Sequence, residues 1–357
     1  MSGKGRYLSL LLHHSNRQRR LTMKRKDALL PLGALGQRMA IMVLLMLGLS
    51  LQGQASGKDG AKPKKGFRLL YWNIQNGMWC GQDDNYASFV KWVKEQRPDV
   101  CVWCEAQTIY YSGTAKAMKK EERYLPDHWA ELARRYGHKY WYIGGYRDNY
   151  PQVITSRYPI ENVERITGNA DTTVMHGAGW ATIEVRKQKI NIVTLHTWPQ
   201  AYAPNAKDRE LSKQRNEGSQ YRKKEVEYIY RHTLGKQPGR EQEYWMMMGD
   251  FNSRSPLDNK VYNYTLDSPN FWVHHYILGN TPYIDAVAHQ HPGEFFSSTG
   301  SNSRIDFVYC TPSLYECVTR AEIITDDYTR PRRDEQKLSN FWHPSDHRPI
   351  LVDFELK

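Results

Sequence analysis

Six strand-like apolar runs of this chain each have a polar or ionisable side chain at one end, and this recurrence limits what the chain can fold into. In "MMMGDFNSRSP", residues 246–256, three methionines lead directly into Asp250 and Asn252. Residues two positions apart lie on the same face of an extended chain. Such a pair can simply cap a turn. The other five strand ends therefore decide whether Asp250 and Asn252 cap a turn or belong to a functional site.

Carboxylate, amide and imidazole groups make up the whole set of polar strand ends. The set, at or just beyond the ends of the runs, is Asn73, Glu105, His196, Asp250, Asn252, Asp306, Asp346 and His347. A polar group that is buried without a partner is costly, although a single one could face solvent. Six ends with this chemistry predict one shared pocket, because sheet scaffolds carry their chemistry where such ends converge.

Strand-like segments dominate the chain, and helices are spaced irregularly between them. Residues 67–73 alternate as a strand does, and residues 85–99 carry apolar side chains at helical spacing and stop at Pro98. A short turn after residue 185 predicts a β-hairpin, and a long polar helix is predicted over residues 213–235. These patterns predict a mixed α and β fold with at least one large sheet.

The first 55 residues have the composition of a leader and not of a folded domain. A basic stretch precedes the twelve apolar residues "AIMVLLMLGLSL", residues 40–51, and small residues follow. Twelve apolar residues are too few to span a bilayer, so a cleaved signal peptide is favoured over an anchor. We expect the mature, secreted or periplasmic protein to begin near Ser56, with a basic linker at 56–66 and one domain at 67–357.

The formal net charge of +12 belongs mostly to the leader and the linker. Residues 1–55 carry nine Lys or Arg and one Asp, and residues 56–65 carry four Lys and one Asp. Residues 66–357 are therefore left with a net charge of +1. A nearly neutral domain argues against tight binding to duplex nucleic acid, and any affinity for nucleic acid is expected to be modest.

Several cysteines and histidines have the spacing of metal ligands without the expected context. Cys101 and Cys104 lie within a strand-like run, and no second cysteine pair has metal spacing, so buried thiols or one disulfide are predicted. Four histidines in predicted loops are expected to be surface residues. They are His274, His275, His289 and His291.

Seven short motifs occur in an order that resembles one known family. They are "WNIQNG", "CEAQT", "SRYPI", "TLHT", "GDFNS", "RIDFVY" and "SDHRPI". The most specific feature is "GDFN" followed much later by "SDH" just before a terminal strand. Over residues 67–356 the chain resembles the endonuclease/exonuclease/phosphatase superfamily, relatives of pancreatic-type deoxyribonucleases, exonuclease III, sphingomyelinases and inositol polyphosphate 5-phosphatases.

This resemblance implies the fold and a metal site. The implied fold is a four-layer α/β sandwich of two packed mixed sheets flanked by helices, with the active site at one sheet edge. Glu105 matches the principal metal carboxylate, with Asn73 beside it, and Asn73 and Asp346 are assigned as further metal ligands. Oxygen ligands of this kind suit Mg²⁺ or Mn²⁺ better than zinc.

The same resemblance implies catalytic roles for the other strand-end residues. Asp250 and Asn252 match the pair that orients the attacking water and holds the phosphoryl oxygens. His347 would polarise water or bind a phosphate oxygen, and Asp306 would fix its tautomer. His196 matches a histidine near the scissile phosphate and the leaving group. Whether Asp250 or His347 is the base stays open.

The chain also departs from the family pattern. Many relatives carry an Arg that meets phosphate where this chain reads "MHGAGWATIEV"; His176 could take its place, or this contact could be absent. Trp198, shortly after His196, could be packing or a substrate platform. Exposed aromatic residues could stack on bases or sugars, although most are expected in the core; the candidates are Trp79, Tyr110, Tyr111, Trp141 and Trp198.

Individual site residues could also have purely structural or surface roles. Asn73 could be a turn residue, Glu105 a surface acid, and His196 a core imidazole, while Asp306 could serve only in a salt bridge. The alternative for the whole chain is a secreted, non-catalytic binding protein on the same fold. The complete set of eight residues argues against this alternative, because a non-catalytic protein would not need to retain catalytic residues.

The expected function is that of an exported, Mg²⁺- or Mn²⁺-dependent phosphoesterase in which water attacks phosphorus in line. It would hydrolyse a phosphodiester or a phosphomonoester. Nucleic acid, phospholipid or sphingomyelin, and sugar or inositol phosphate all stay open as substrates. No stable membrane span is expected after signal cleavage, and the oligomeric state is open.

Overall fold

The computed structural model describes residues 62, 65–78, 84–107, 126–146, 150–171, 173–236, 239–333 and 342–357. The predicted leader, most of the predicted linker, Cys80 and three of the candidate aromatic residues lie outside this described part. Those three residues are Trp79, Tyr110 and Tyr111. Among the described residues, no helix combines the length and the apolar character that crossing a membrane requires.

Fourteen strands lie in the described part of the chain. They are β1 (Gly66–Asn73), β2 (Val100–Cys104), β3 (Tyr140–Gly144), β4 (Gln152–Ser156), β5 (Ile160–Gly168), β6 (Thr173–Val185), β7 (Gln188–His196), β8 (Tyr244–Asp250), β9 (Ile284–Asp285), β10 (Asp306–Cys310), β11 (Val318–Ile323), β12 (Arg332–Arg333), β13 (Trp342–His343) and β14 (Ile350–Glu355). One six-stranded sheet has the order β11-β14-β1-β2-β4-β3 and the other β5-β6-β7-β8-β10-β9. Strands β12 and β13 form a separate pair.

Each six-stranded sheet mixes parallel and antiparallel neighbours. Strand β1 runs parallel to β2 and antiparallel to β14. Strand β7 runs parallel to β8, which is antiparallel to β10. The predicted hairpin joins β6 to β7 through Arg186 and Lys187, both with positive φ (53° and 67°), as tight hairpin turns require.

Most helices pack on the outer faces of the two sheets, whereas Ala286–Gln290 contributes Ala286 and Val287 to the cluster between the sheets. The longer ones are α1 (Ala87–Gln96), α2 (Pro126–Arg135), α3 (Arg209–Gln214), α4 (Glu217–His232), α5 (Trp272–Asn280) and α6 (Ala286–Gln290). Single turns of helix occur at Asn259–Tyr262 and Pro312–Tyr315. Gln75–Met78 instead form a left-handed turn, with positive φ at all four residues.

Three clusters of buried apolar side chains separate four layers. The central cluster lies between the sheets and includes Met246 and Met248 of β8. The intervening Met247 faces the opposite way, into the cluster beneath α4 and α5. A third cluster joins α1 and α2 to the other sheet. The predicted four-layer α/β sandwich of two mixed sheets is therefore confirmed.

Some local predictions were wrong. The helix predicted over residues 213–235 is two helices, because Asn216 adopts a left-handed backbone (φ 56°) between α3 and α4. Strand β5 was not predicted. His274 is not a surface residue: it lies on the buried face of α5, where its ring nitrogens contact Tyr309 Oη at 2.6 Å and Ser253 O at 3.1 Å.

The cysteine prediction is confirmed for the described thiols. Cys101, Cys104, Cys310 and Cys317 are buried and unbonded. Burial raises the pKa of the Cys101 and Cys104 thiols well above their ordinary value. Thiols in this state are poor metal ligands and poor nucleophiles, so their role is that of small apolar core residues.

Candidate active site

The polar strand ends meet at one edge of the sandwich. In one sheet Asn73 pairs with Cys104, which places Glu105 beside it. In the other, Asp250 pairs with both His196 and Asp306 across neighbouring strands. Strands β10 and β14 run antiparallel to β8 and β1, so residues at or before their starts lie at the edge where β8 and β1 end.

A cavity of about 850 Å³ opens at this edge. Six predicted residues line it: Glu105, His196, Asp250, Asn252, Asp346 and His347. The other two lie directly behind, because Asn73 bonds to two of these carboxylates and Asp306 bonds to His347. All eight predicted side chains therefore belong to one site.

Asn73 holds two carboxylates together. It is fully buried, and its Nδ2 donates to Glu105 Oε1 at 3.2 Å and to Asp250 Oδ2 at 3.1 Å. Its Oδ1 accepts from the backbone N–H of Gln75 at 3.1 Å. Asn73 therefore fixes the two carboxylates relative to each other, and one lone pair of its Oδ1 is used by the backbone.

Glu105 takes up an unfavourable backbone conformation directly after β2. Its φ is 53°, in the left-handed region that residues other than Gly, Asn and Asp rarely adopt. Its Oε2 accepts from the N–H of Asn76 at 3.0 Å, and Asn76 is itself left-handed (φ 54°). Such conformations cost about 1–3 kcal/mol each and cluster at functional sites, which argues against a surface acid.

Asp250 and Asn252 reach the same cavity by a turn and not by strand alternation. Strand β8 ends at Asp250, and Asn252 has a left-handed backbone (φ 46°). The N–H of Asn252 donates to Asp250 Oδ1 at 2.8 Å, and its Nδ2 donates to Thr197 O at 3.1 Å. The prediction from a continuous extended chain was wrong in this detail, although both side chains line the site.

His347 is oriented by Asp306. The ring Nδ1 lies 2.7 Å from Asp306 Oδ2, and the other oxygen, Oδ1, accepts from Tyr71 Oη at 2.8 Å. The opposite ring nitrogen, Nε2, faces the cavity, 3.8 Å from Asp250 Oδ2 and 3.8 Å from Asp346 Oδ1. A carboxylate behind the ring fixes both its tautomer and its direction.

His196 faces the same carboxylates from the other side. Its Nε2 lies 3.8 Å from Asp250 Oδ2 and 3.9 Å from Glu105 Oε1. The ring stacks on His176 with centroids 4.5 Å apart and an interplanar angle of 28°. His176, the residue at the place of the missing Arg, therefore lies in the cavity next to the reacting groups.

The acidic groups of the site hold protons more tightly than usual. Burial, followed by the charge of Asp346, raises the pKa of Glu105 to about 7. Burial and then Asp306 raise the pKa of Asp250 to about 8. Burial would lower the pKa of His347, but Asp306 and Asp346 outweigh it and raise that pKa well above its ordinary value.

A divalent cation fits this donor set. Ligand atoms of Glu105, His196 and Asp250 lie within 4.8 Å of one another, as do those of Asp250, Asp306 and His347. Oxygen-rich sites of this kind suit hard cations, and crowded buried carboxylates gain most from a positive charge between them. The residues present therefore fit a divalent metal centre.

The raised pKa values predict how stability depends on pH when the metal is removed. Folded-state pKa values of about 7 for Glu105 and about 8 for Asp250 exceed their ordinary values of 4.5 and 3.8. The stability that these groups contribute is complete below their ordinary pKa values and is lost as pH rises through 7 and 8, by at most about 1.4 kcal/mol per pH unit for each proton released.

We therefore expect the Tm of EDTA-treated protein to fall between pH 5 and pH 8.5, and Mn²⁺ to raise the Tm more at pH 8 than at pH 6. Thermal melts in both conditions measure this. Glu105→Gln and Asp250→Asn should each flatten the profile in EDTA. A wild-type Tm in EDTA that is unchanged or rises over this range would contradict the electrostatic picture.

Two partners of Asp306 were missed in the sequence. Tyr71 lies two residues before Asn73, so strand alternation places both on one face, and this signal could have identified it. Ser298 donates to Asp306 Oδ2 at 2.7 Å from a segment with no regular pattern, and no sequence signal marks it.

Known proteins resemble this chain in sequence pattern and in fold. Residues 70–347 match the model of the Endonuclease/Exonuclease/phosphatase family. A search of curated proteins found no match. Among solved structures, an AP endonuclease from Archaeoglobus fulgidus is similar at 18% identity with a TM-score of 0.54, covering 81% of this chain and 100% of that one.

Two further solved structures share the fold at lower identity. The 3′ phosphatase NExo from Neisseria, solved with product DNA hairpin, is 15% identical with a TM-score of 0.53, covering 81% of this chain and all of its own. The human Nocturnin catalytic domain, with a bound sulfate, is 12% identical with a TM-score of 0.52 and coverages of 83% and 95%. The chain belongs to the endonuclease/exonuclease/phosphatase family, whose members are divalent-metal-dependent hydrolases of phosphoesters.

Proposed function

We propose that this protein hydrolyses a phosphodiester or a phosphomonoester with Mg²⁺ or Mn²⁺, and that water attacks phosphorus in line. The observation that carries the proposal is the position of Asp250. One buried carboxylate oxygen lies 3.8 Å from the imidazoles of both His196 and His347. A phosphoryl group placed among these three side chains would have a base and two imidazoles within reach.

The metal would be held by Glu105 and Asp346, with Asn73 fixing the first of them. Bound there, a divalent cation supplies charge stabilisation for the phosphoryl oxygens and the leaving oxygen. The oxygen donors favour Mg²⁺ or Mn²⁺, since zinc sites in proteins are richer in His and Cys.

Asp250 is the residue that we assign as proton acceptor for the attacking water. Burial, followed by the charge of Asp306, raises its pKa, and a raised pKa makes the carboxylate a stronger base. Asp306 and Asp346 raise the pKa of His347 well above its ordinary value despite its burial, which favours a protonated ring that donates from Nε2 to a phosphoryl oxygen. Asn252 lines the cavity beside them and would hold a second phosphoryl oxygen.

His196 is assigned to the leaving oxygen, and this role predicts a dependence on the leaving group. If the imidazole donates to the departing oxygen, His196→Ala should lose about ten to a thousandfold more activity on an alkyl phosphoester than on a nitrophenyl one. A nitrophenolate needs little help to leave. Relative kcat/KM values for the two esters measure the effect. Equal losses of activity on the two esters would instead indicate that His196 binds a nonbridging phosphate oxygen. No loss on either ester would indicate that His196 is only a buried structural residue.

The protein is proposed to act outside the cytoplasm, after removal of a signal peptide near Ser56. Nucleic acid, phospholipid or sphingomyelin, and sugar or inositol phosphate stay open as substrates. The bound DNA hairpin of the Neisseria 3′ phosphatase makes nucleic acid worth testing, and the net charge of +1 for residues 66–357 favours modest affinity with a shallow salt dependence.

A substrate screen tests the proposal as a whole. The protein purified from the exported fraction is assayed on nucleic acids, phospholipids and phosphorylated small molecules with Mg²⁺, with Mn²⁺ and with EDTA. We expect turnover of at least one class with metal and none in EDTA. Failure on every class, with metal bound, would favour the non-catalytic binding protein instead.

A further inference from the structure

Trp198 is an aromatic residue of the active-site cavity, two residues beyond His196. It is half-buried and lines the cavity together with the reacting groups. Its ring is 6.4 Å from that of His176 at an interplanar angle of 26°, and His176 stacks on His196. Each neighbouring pair of these rings is stacked, and the series runs from His196, beside the carboxylates, to Trp198.

Three separate hydrogen bonds hold Trp198 in place. Its backbone N–H donates to Glu225 Oε2 at 2.9 Å, and its backbone carbonyl accepts from Arg222 Nη1 at 3.1 Å. Its indole N–H donates to the carbonyl of Tyr202. Both the backbone and the ring of this cavity residue are therefore fixed.

Glu225 and Arg222 also fix the neighbouring residues of this wall of the cavity, which consists of Met175, His176, Trp198 and Gln200. Glu225 is fully buried, and its Oε1 accepts from the N–H of Met175, next to His176, at 2.8 Å. Arg222 is 6% exposed and also donates to Gln200 O at 2.8 Å. Burying an arginine and a glutamate in one turn of α4 is costly, and their hydrogen bonds converge on the chain segments that carry the stacked rings.

The start of helix α4 approaches the backbone of Gln200 and Ala201 so closely that only a residue without a side chain fits there. The N–H of Gly218 donates to Ala201 O at 3.1 Å, and a Cβ at Gly218 would lie 2.2 Å from Gln200 O. Contact this close at the start of α4 requires glycine. The segment that follows Trp198 is thus pressed against a rigid element.

The cavity is larger than a phosphoryl group needs. Its volume of about 850 Å³ is in the range of pockets that enclose a whole small molecule. Aromatic rings line it on several sides: Tyr150, Trp198, Tyr202 and Trp342. Among the described residues that line it, none is Lys or Arg. These surroundings suit an uncharged ring better than additional phosphates.

We propose that Trp198, held by Glu225 and Arg222, is the binding platform for an uncharged ring, a base or a sugar, that is attached to the scissile phosphate. The inference rests on the proposed function, since it assigns the substrate class of the same site. Stacking on a tryptophan that is already fixed loses little side-chain entropy on binding. Base–aromatic stacking is worth about 1–3 kcal/mol, or about five- to 150-fold in affinity.

Phosphonates test the platform because their C–P bond is not hydrolysed. We would titrate the full protein, in Mn²⁺, with methylphosphonate, phenylphosphonate and a glucose C-phosphonate, and follow binding by calorimetry. At least one ring-bearing phosphonate is expected to bind about tenfold or more tightly than methylphosphonate. Preference for the phenyl compound indicates a base, and preference for the glucose compound indicates a sugar.

Variants of two tryptophans show where the preference arises. Trp198→Ala should remove the preference and leave methylphosphonate affinity unchanged, whereas Trp198→Phe should retain most of it. Trp272 is the matched control, because it is also half-buried and its indole N–H also donates to a backbone carbonyl, that of Asp267, away from the cavity. Trp272→Ala should keep the wild-type preference.

Glu225→Gln tests the positioning role of the buried pair. The amide can accept only one of the two backbone N–H bonds, so the ring preference should fall towards that of Trp198→Ala while methylphosphonate affinity stays constant. A purely structural role would change both affinities or neither.

The outcomes for the platform and for the enzyme can be separated. No ring preference, or a preference that survives Trp198→Ala, overturns the platform, even if the protein turns over bis(4-nitrophenyl) phosphate. A preference that depends on Trp198 without turnover of any ester supports the subsite and rejects the proposed hydrolysis.

Discussion

Asp250→Asn is expected to lower kcat by about two orders of magnitude or more while the fold stays intact. The amide has the size of the carboxylate but accepts a proton poorly, so the attacking water loses its base. His347→Ala is expected to lose a similar factor, because the donor that Asp306 orients towards the cavity is removed. Both are measured as kcat on bis(4-nitrophenyl) phosphate at saturating Mn²⁺.

A buried carboxylate outside the site separates catalysis from stability. Asp353 is 3% exposed and pairs with Arg68 at 2.7 Å. Asp353→Asn should lower the Tm, because it leaves a buried guanidinium poorly matched, yet keep kcat near that of the wild type. If Asp250→Asn and Asp353→Asn reduced kcat equally, loss of stability and not loss of a base would explain both.

Glu105→Ala is expected to abolish activity at ordinary metal concentrations and to weaken Mn²⁺ binding by about a hundredfold or more, since losing even an outer partner of a metal site costs ten- to a hundredfold. Binding is measured by titrating the protein with Mn²⁺ and following the free ion by electron paramagnetic resonance. A large excess of Mn²⁺ should restore part of the activity.

The exposed acid Glu95 on α1 serves as the matched control. Glu95→Ala should change neither Mn²⁺ affinity nor turnover. Full activity of Glu105→Ala in EDTA would refute the metal assignment, whatever the effect on stability.

The sequence predicted that these strand ends meet, because polar groups on apolar strands are conspicuous. Asn73, Glu105 and His196 follow strand-like runs, and any sheet that aligns those ends brings them together. Asp306 and His347 instead stand at or before strand starts, and they join the site only because β10 and β14 run antiparallel to β8 and β1. That direction depends on sheet topology, which the local pattern of residues does not contain.

Other parts of the structure had no local signal. Glu225 and Arg222 read as ordinary residues of a polar helix, and only the docking of α4 against the wall makes them buried. His274 lies in a short helix that is apolar on several sides, so periodicity could not identify its buried face. Asn252 departs from the expected alternation because strand β8 ends at Asp250 and the chain then turns, with a left-handed backbone at Asn252.

The central claim is that the polar strand ends form a metal-dependent centre in which water attacks phosphorus. Hydrolysis of bis(4-nitrophenyl) phosphate in ¹⁸O-labelled water, with Mn²⁺ or with EDTA, tests it most directly, and Asp250→Asn shows the background rate. We predict that the label appears in the phosphate product, only with metal and far more slowly in the variant. Label in the nitrophenol, or equally fast hydrolysis in EDTA, would contradict the claim.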